Sequence, residues 1–392
     1  MSAPVAAEPS VRSDTFAFSS EAYAGRFYRP ELDVLRFCAF FGVFVFHAFP
    51  HGAGFYDANG FPRWITGTIL PVLTSGAYGV DLFFALSAYL ITSLLLRERA
   101  RTGSVDLRSF YVRRILRIWP LYLSFVAFAT LVSLLTETQK LDWHYVAGYS
   151  LLAGNWMYVI YGLPTGFTIP LWTVSIEEQF YLTWPLAFRR ASLAAMASMA
   201  AGVLAVANVV RVWLAVSGAP LQAMEYNTFT RLDPIALGIL IALLGKRLPQ
   251  WTQWQRAALL AGGIMSWTTA AAFNGWHNPE SPETWRLAIT HPIVALGSVA
   301  ILMAFIGSGH AWLKSRTLIY LGKISYGLYV VHEFGRLCVS RFMHPSTPLG
   351  VVAQSAMGFA FTVLLAAASY RWLESPFLRM KERFAYVKSR PL

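Results

Sequence analysis

The chain has 392 residues, 56% hydrophobic and 15% aromatic against only 13% charged, a balance that excludes a soluble globular domain and leaves a membrane protein. The net charge of +12 would suggest nucleic acid in a soluble protein. Here the Lys and Arg residues sit in short segments between apolar runs, where they set orientation, so no nucleic-acid partner is expected.

The first 26 residues lack the apolar stretch of a signal peptide and read as a disordered cytoplasmic tail. A single transmembrane domain is expected over 27–380, and a cytoplasmic tail over 381–392. A helix needs about 20 residues to cross about 30 Å of hydrocarbon. Apolar runs of that order recur at 34–50, 69–96, 116–136, 169–188, 191–217, 231–245, 255–273, 286–308, 317–340 and 350–373. The segment 144–160 is interrupted by His144, Asn155 and two glycines. Taken as non-crossing or re-entrant, it leaves every dense basic cluster on one side: Arg26/Arg29, loop 97–117, Arg189/Arg190, Lys246/Arg247, Lys314/Arg316 and "RMKERF". The expectation is an all-α polytopic membrane protein of about ten transmembrane helices around a polar cavity, both termini cytoplasmic. No repeat at a fixed period is visible. Cys38 and Cys338 both lie in apolar runs, which supports neither a disulfide framework nor a thiolate metal site, and no metal is expected.

Polar residues inside the apolar runs carry the chemistry. In "RPELDVLRFCAFFGVFVFHA", residues 29–48, Arg36 and His47 are eleven positions apart, three helical turns plus about 20°, so they share a face roughly 16 Å apart. Asp33 lies within about 40° to 60° of them. "GVDLFFALSAYLIT" carries Asp81, with Ser87 further along the same span. Loop 97–117 holds seven arginines against Glu98 and Asp106, and Arg113, Arg114 and Arg117 form a fork at a helix entrance. Guanidinium groups so spaced suit a multiply charged phosphate ligand, although a grip on anionic lipid headgroups would need only charge near the surface. Glu177 and Glu178 lie about eight residues inside another span, where each ionised group costs about 2.5 to 3.5 kcal/mol. They point about 100° apart, so one faces a cavity while the other finds a different partner. Tyr181, Arg231, Lys323 and His332 complete the expected polar lining. A single buried histidine is ordinary, but several membrane-buried titratable groups together mark a pathway or a site.

At these residues the sequence resembles the membrane-bound acyltransferase-3 family, bacterial O-acyltransferases of polysaccharides, lipopolysaccharide, peptidoglycan and some antibiotics. The resemblance rests on ordered blocks from about residue 27 to 380: "RPELDVLRFCAFFGVFVFHA" with its Arg, ten residues, His spacing; "GVDLFFALSAYLIT"; "FYVRRILRIWPLY"; "LWTVSIEEQFYLTWP"; "TRLDPIALGIL"; and "LGKISYGLYVVHEF". Ala88 stands where the family usually has Gly, and Thr173 where Ser is common. The resemblance implies transfer of an acyl group, most often acetyl, from cytoplasmic acyl-CoA (acetyl-CoA) to a hydroxyl. It implies His47 as base with Arg36 as its companion. Arg114 and Arg117, with Arg113 alongside, would hold the CoA phosphates, and Glu177 or Glu178 would help position His47 or the acceptor.

The chemistry agrees, because a hydroxyl attacking a thioester must lose a proton and a neutral imidazole is well matched to take it. A direct transfer and an acyl-histidine route both remain open at this stage. The implied acceptor is a surface polysaccharide first, a lipid-linked sugar or small antibiotic next. Some relatives carry a fused extracytoplasmic esterase-like domain. The chain ends 19 residues after Leu373, so it is expected to act alone or with a separate partner. The expected setting is multi-pass in the bacterial inner membrane, with a homo-oligomer left open. The rivals are a proton-coupled transporter, which predicts no thioester turnover, and a lipid-binding scaffold, which leaves Glu177 and Glu178 without a purpose.

Overall fold

The computed structural model describes residues 27–137, 139–275 and 284–387. The expected tail 1–26, with Arg26, lies outside them, as do residues 388–392. Among the described residues the architecture is all-helical, with one isolated bridge between Lys140 and Thr165.

Local signals set most helix ends. α1 (Pro30–Ala48) opens with Pro at its first position and Glu31 and Asp33 in its first turn, both favoured at the positive end of the helix dipole. After the short α2 (Ala53–Ala58), α3 (Arg63–Ser75) passes through a 3-10 turn into α4 (Gly79–Thr102), which stops at Gly103 in the left-handed conformation, φ 76°. Asp106 caps α5 (Leu107–Leu135) by accepting from the Ser109 N–H at 3.1 Å. The segment 144–160 folds as α6 (Trp143–Ser150) and α7 (Gly154–Tyr161). At eight residues and about 12 Å each, neither is long enough by itself to span a bilayer.

α8 (Leu171–Ala187) carries Glu177 and Glu178, and α9 (Leu193–Val216) starts at a Ser192 cap. There follow α10 (Leu221–Glu225), α11 (Asp233–Leu244), α12 (Gln253–Asn274) with a Thr252/Gln255 capping box, and α13 (Thr284–Phe305). The expected run 317–340 is two helices, α14 (Arg316–Lys323) and α15 (Ser325–Ser340), broken at Ile324. α16 (Pro348–Ser369) continues through a π-turn into α17 (Ser375–Lys381).

Five helical runs are long and apolar enough to cross a membrane: Arg63–Thr102, Leu107–Leu135, Leu193–Val216, Thr284–Phe305 and Pro348–Phe384. They coincide with five of the ten expected spans. The others fall on α1, α8, α11, α12 and α14–α15, which are shorter or more polar. α11, with 12 residues, rises only about 18 Å.

α1 packs against several other helices. It lies against α4, α14 and α15, and Gly322 of α14 sits so close to the Asp33 backbone that a Cβ there would collide with it. That contact sets the depth of α15 relative to α1. α15 is further from α1 in sequence than any local rule reaches, yet the packing brings His332 beside His47.

Candidate active site

Two polar groupings surround α1. The first is a narrow cavity of about 150 Å³ between α1, α4, α5, α8 and α15. Its walls include Arg36, Ser87, Arg114, Arg117, Glu177 and Tyr181, with Arg29 and Lys381 at one end and Thr173 and Tyr329 deeper in. Arg36 is held by Asp33 at 3.0 Å. Ser87 Oγ donates to Glu177 Oε1 at 2.8 Å and the Tyr181 hydroxyl donates to Oε2 at 3.4 Å. The Arg114 guanidinium lies over the rings of Tyr181 and Phe110, 5.5 and 5.6 Å from their centroids. With Asp33, which also lines it beside Arg36, seven of the sequence-derived residues thus meet at one cavity.

Others do not. Glu178 lies on a different face of α8 and accepts from Trp119 Nε1 at 3.0 Å. Arg113 turns away to Glu98, 2.8 Å distant, and donates to the Phe384 carbonyl, so the expected three-arginine fork contributes two members to the cavity. Lys323 ends α14 and is not a wall of the cavity. Asp81 pairs with Arg231 at 3.1 Å in a separate buried cluster. There Arg231 donates to His291 Nε2 at 2.8 Å, lies 3.5 Å from Glu225 and sits over the Trp172 ring. A second buried pair, Arg211 with Asp233, lies nearby on α9 and α11. These ion pairs tie α4, α9, α11 and α13 together.

The second grouping contains His47. Its imidazole lies beside His332, His332 Nε2 standing 3.4 Å from His47 Nδ1, with Glu333 Oε1 at 3.8 Å. Glu333 in turn pairs with Arg336 at 2.8 Å. The companions of His47 are therefore on α15, not Glu177 or Glu178 on α8. Glu333 and Arg336 were not singled out from sequence, although Glu333 directly follows His332 and a Glu–Arg pair three apart is a readable helical contact.

The backbone fixes the ring states. His47 Nδ1 donates to the Val43 carbonyl at 2.9 Å and His332 Nδ1 to the Tyr329 carbonyl at 2.7 Å. A carbonyl only accepts, so a neutral ring carries its proton on Nδ1 and its lone pair on Nε2. His332 Nε2 thus accepts from the His47 side, and His47 Nε2 is left as a base. His47, His332 and Glu333 also have ligand atoms within 4.8 Å of one another, a spacing that suits a metal ion. The Val43 bond on His47 Nδ1 and the Arg336 pair on Glu333 both compete with that use.

The groupings adjoin through rings. Tyr329, a wall of the cavity, lies 5.6 Å from the His332 ring, and His332 lies 5.1 Å from His47. The Tyr329 hydroxyl accepts from Thr173 at 2.9 Å and donates to the Pro170 carbonyl at 3.2 Å, which pins this partition.

The profile of a family described as an acyltransferase domain matches residues 29–371 of this chain. The chain belongs to the acyltransferase-3 family. Its curated relatives include the peptidoglycan O-acetyltransferase OatA of Listeria monocytogenes, 26% identical over 383 residues, which covers 90% of this chain and 56% of that protein. A Bacillus subtilis protein named "Putative peptidoglycan O-acetyltransferase YrhL" is 29% identical over 381 residues, covering 89% and 55%. A Staphylococcus aureus protein named "Putative O-acetyltransferase" is 25% identical over 393 residues, covering 93% and 59%. The chain thus spans little more than half the length of these relatives. No solved structure matches it. Within this acyltransferase-3 chain, both the cavity and the His47 grouping fall inside the matched residues.

Proposed function

We propose that this protein is an O-acyltransferase that moves an acyl group, acetyl in the first instance, from acyl-CoA to a hydroxyl of a cell-envelope carbohydrate. The observation that carries the reading is the juxtaposition of an arginine-lined cavity with a backbone-oriented histidine. Arg36, Arg114 and Arg117 offer guanidinium groups to a donor that carries several negative charges. The narrow bore suits an extended thioester arm running toward Tyr329. His47 is the general base and Arg36 lies on the same face of the helix.

In the reaction, the acceptor oxygen attacks the thioester carbonyl carbon while His47 Nε2 takes the hydroxyl proton. The tetrahedral intermediate collapses, the carbon–sulfur bond breaks, and the proton on His47 returns to the departing CoA sulfur. Glu333, reached through His47 Nδ1, stabilises the transient imidazolium, and the Val43 carbonyl keeps the ring in the productive tautomer. For the thioester to reach His47, the Tyr329–His332 partition has to shift. Glu177, held by Ser87 and Tyr181, orients donor or acceptor within the cavity.

Two relatives are named for peptidoglycan, which favours an envelope glycan as acceptor. The same reading takes the protein as multi-pass in the bacterial inner membrane, with the arginine-rich end of the bundle and both termini cytoplasmic, since basic residues stay on that side.

The test is release of free CoA from acetyl-CoA by purified protein in detergent, with and without a glycan acceptor, for wild type and His47→Ala. Loss of release with retained CoA binding is expected in the variant. A folded wild type that neither binds CoA nor releases it would overturn the reading in favour of a transporter.

A further inference from the structure

A second chamber opens beside the donor cavity, and the proposed function gives it no role. It has about 670 Å³ of room, within the roughly 300–1,000 Å³ of small-molecule sites. Phe27 and Arg29 line both spaces, so the two share a wall at the arginine-rich end of the bundle. Its charged lining is cationic: Arg29, Arg97 and Arg256. The nearby carboxylate is Glu31, buried behind the wall, where it lies 3.3 Å from Arg29 and accepts from the Gly307 N–H at 3.1 Å. Among the described residues, the charged side chains that line the chamber are thus all guanidiniums.

The lining is built rather than incidental. Arg256 Nη1 donates to the Ala304 and Ile306 carbonyls, both at 2.8 Å, and its Nε donates to the Trp251 carbonyl at 3.2 Å, which fixes the guanidinium at the C-terminal end of α13. Arg97 is stacked over the Phe27 ring, 4.4 Å from its centroid. Gly307 has φ +69°, a conformation that favours glycine, and the place where its side chain would begin is flanked by Arg29 Nη1 at 3.7 Å and Arg256 Nη2 at 3.8 Å. Two guanidiniums therefore converge on a space that a bare glycine keeps open. Trp251 is an aromatic residue of the same lining.

We infer that this chamber holds the nucleotide end of the thioester donor, with the phosphate on its ribose between Arg29 and Arg256 and the purine against Trp251. The inference rests on the proposed acyl-CoA donor and assigns its two halves to two spaces. The thin arm needs the narrow cavity; the bulky, phosphorylated nucleoside needs the wide one. Base stacking on an aromatic ring and bidentate guanidinium–phosphate contacts are the two interactions such a nucleotide uses. The pyrophosphate between the halves then falls at the shared mouth near Arg29, Arg117 and Lys381. An anionic lipid headgroup offers the same phosphate chemistry, and the experiment separates the two.

The test compares acetyl-CoA with acetyl-3′-dephospho-CoA, which lacks only the ribose phosphate, as donors for wild type, Gly309→Glu and Arg29→Gln. Gly309 lines the chamber and a Cβ there meets nothing within 4 Å, so the glutamate adds a negative charge without crowding the fold. Wild type is expected to show a KM at least 10-fold lower for acetyl-CoA than for the dephospho donor, and the ratio should fall toward 1 in both variants. Monodisperse elution of each variant controls for folding, and Arg97→Gln replaces any variant that fails it. A wild type that does not discriminate, or variants that discriminate as strongly as wild type, overturn the assignment while leaving the acyltransferase reading intact. Unchanged discrimination, together with loss of phosphatidylglycerol-dependent thermal stabilisation in Gly309→Glu nanodiscs, overturns it in favour of a lipid. No turnover of either donor by wild type would instead refute the proposed function itself.

Discussion

Removing the charge of Glu333 tests whether His47 works as a base with a partnered imidazolium. When His47 takes a proton, a positive charge appears 3.8 Å from Glu333 Oε1. At an effective dielectric of about 20, a full charge at that distance interacts by about 4 kcal/mol. Only part of the charge has developed in the transition state, and Arg336, 2.8 Å from the same carboxylate, offsets some of the attraction. Halving the figure gives about 2 kcal/mol, or roughly 30-fold in rate. Glu333→Gln keeps the shape and should therefore lower kcat for acetyl transfer about 30-fold. Glu333 is not a wall of the donor cavity, so KM for acetyl-CoA should change less than about threefold, which separates a transition-state effect from lost binding. The assay is CoA release at saturating acceptor across donor concentrations, with Glu333→Asp as a variant expected to recover part of the rate. A kcat within twofold of wild type, or a loss carried entirely by KM, would refute the reasoning.

Two stability predictions accompany it. Arg231→Met leaves Asp81 and Glu225 without their shared cation and should cost about 3–5 kcal/mol, measured by unfolding in detergent. A double variant with Asp81→Asn should recover part of that loss, and a cost below about 1 kcal/mol for the single change would contradict it. The Asp106 carboxyl is held below the usual carboxylate range by the Ser109 hydroxyl and N–H. Its contribution is present above the ordinary pKa of about 3.9 and disappears as pH falls through the depressed value. Asp106→Ala should thus lower stability by about 1 kcal/mol at pH 7 and by progressively less in acid, and equal thermal transitions at pH 7 would refute this.

The sequence by itself determined the class of environment and much of the local geometry. Composition implied a membrane protein, the helix repeat put Arg36, His47 and Asp33 on related faces of α1, and the adjacency of Glu177 and Glu178 required them to face different neighbours. These follow because helical periodicity and solvent preference act over a few residues. The caps at Asp106, Ser192 and Thr252 are legible for the same reason. What only the tertiary structure decided is which helix faces which. The partner of His47 turned out to be His332 and Glu333 on α15, nearly 290 residues away, because Gly322 lets α14 rest on the Asp33 backbone and so sets the height of α15. Arg113 looked equivalent to Arg114 and Arg117, yet Glu98 at the end of α4 draws it out of the cavity. The second chamber was invisible, since Arg29, Arg97 and Arg256 come from three distant helix ends and share no motif. A buried charge must be neutralised by whatever packing brings within a few ångströms, and in a bundle that choice belongs to the interhelical contacts.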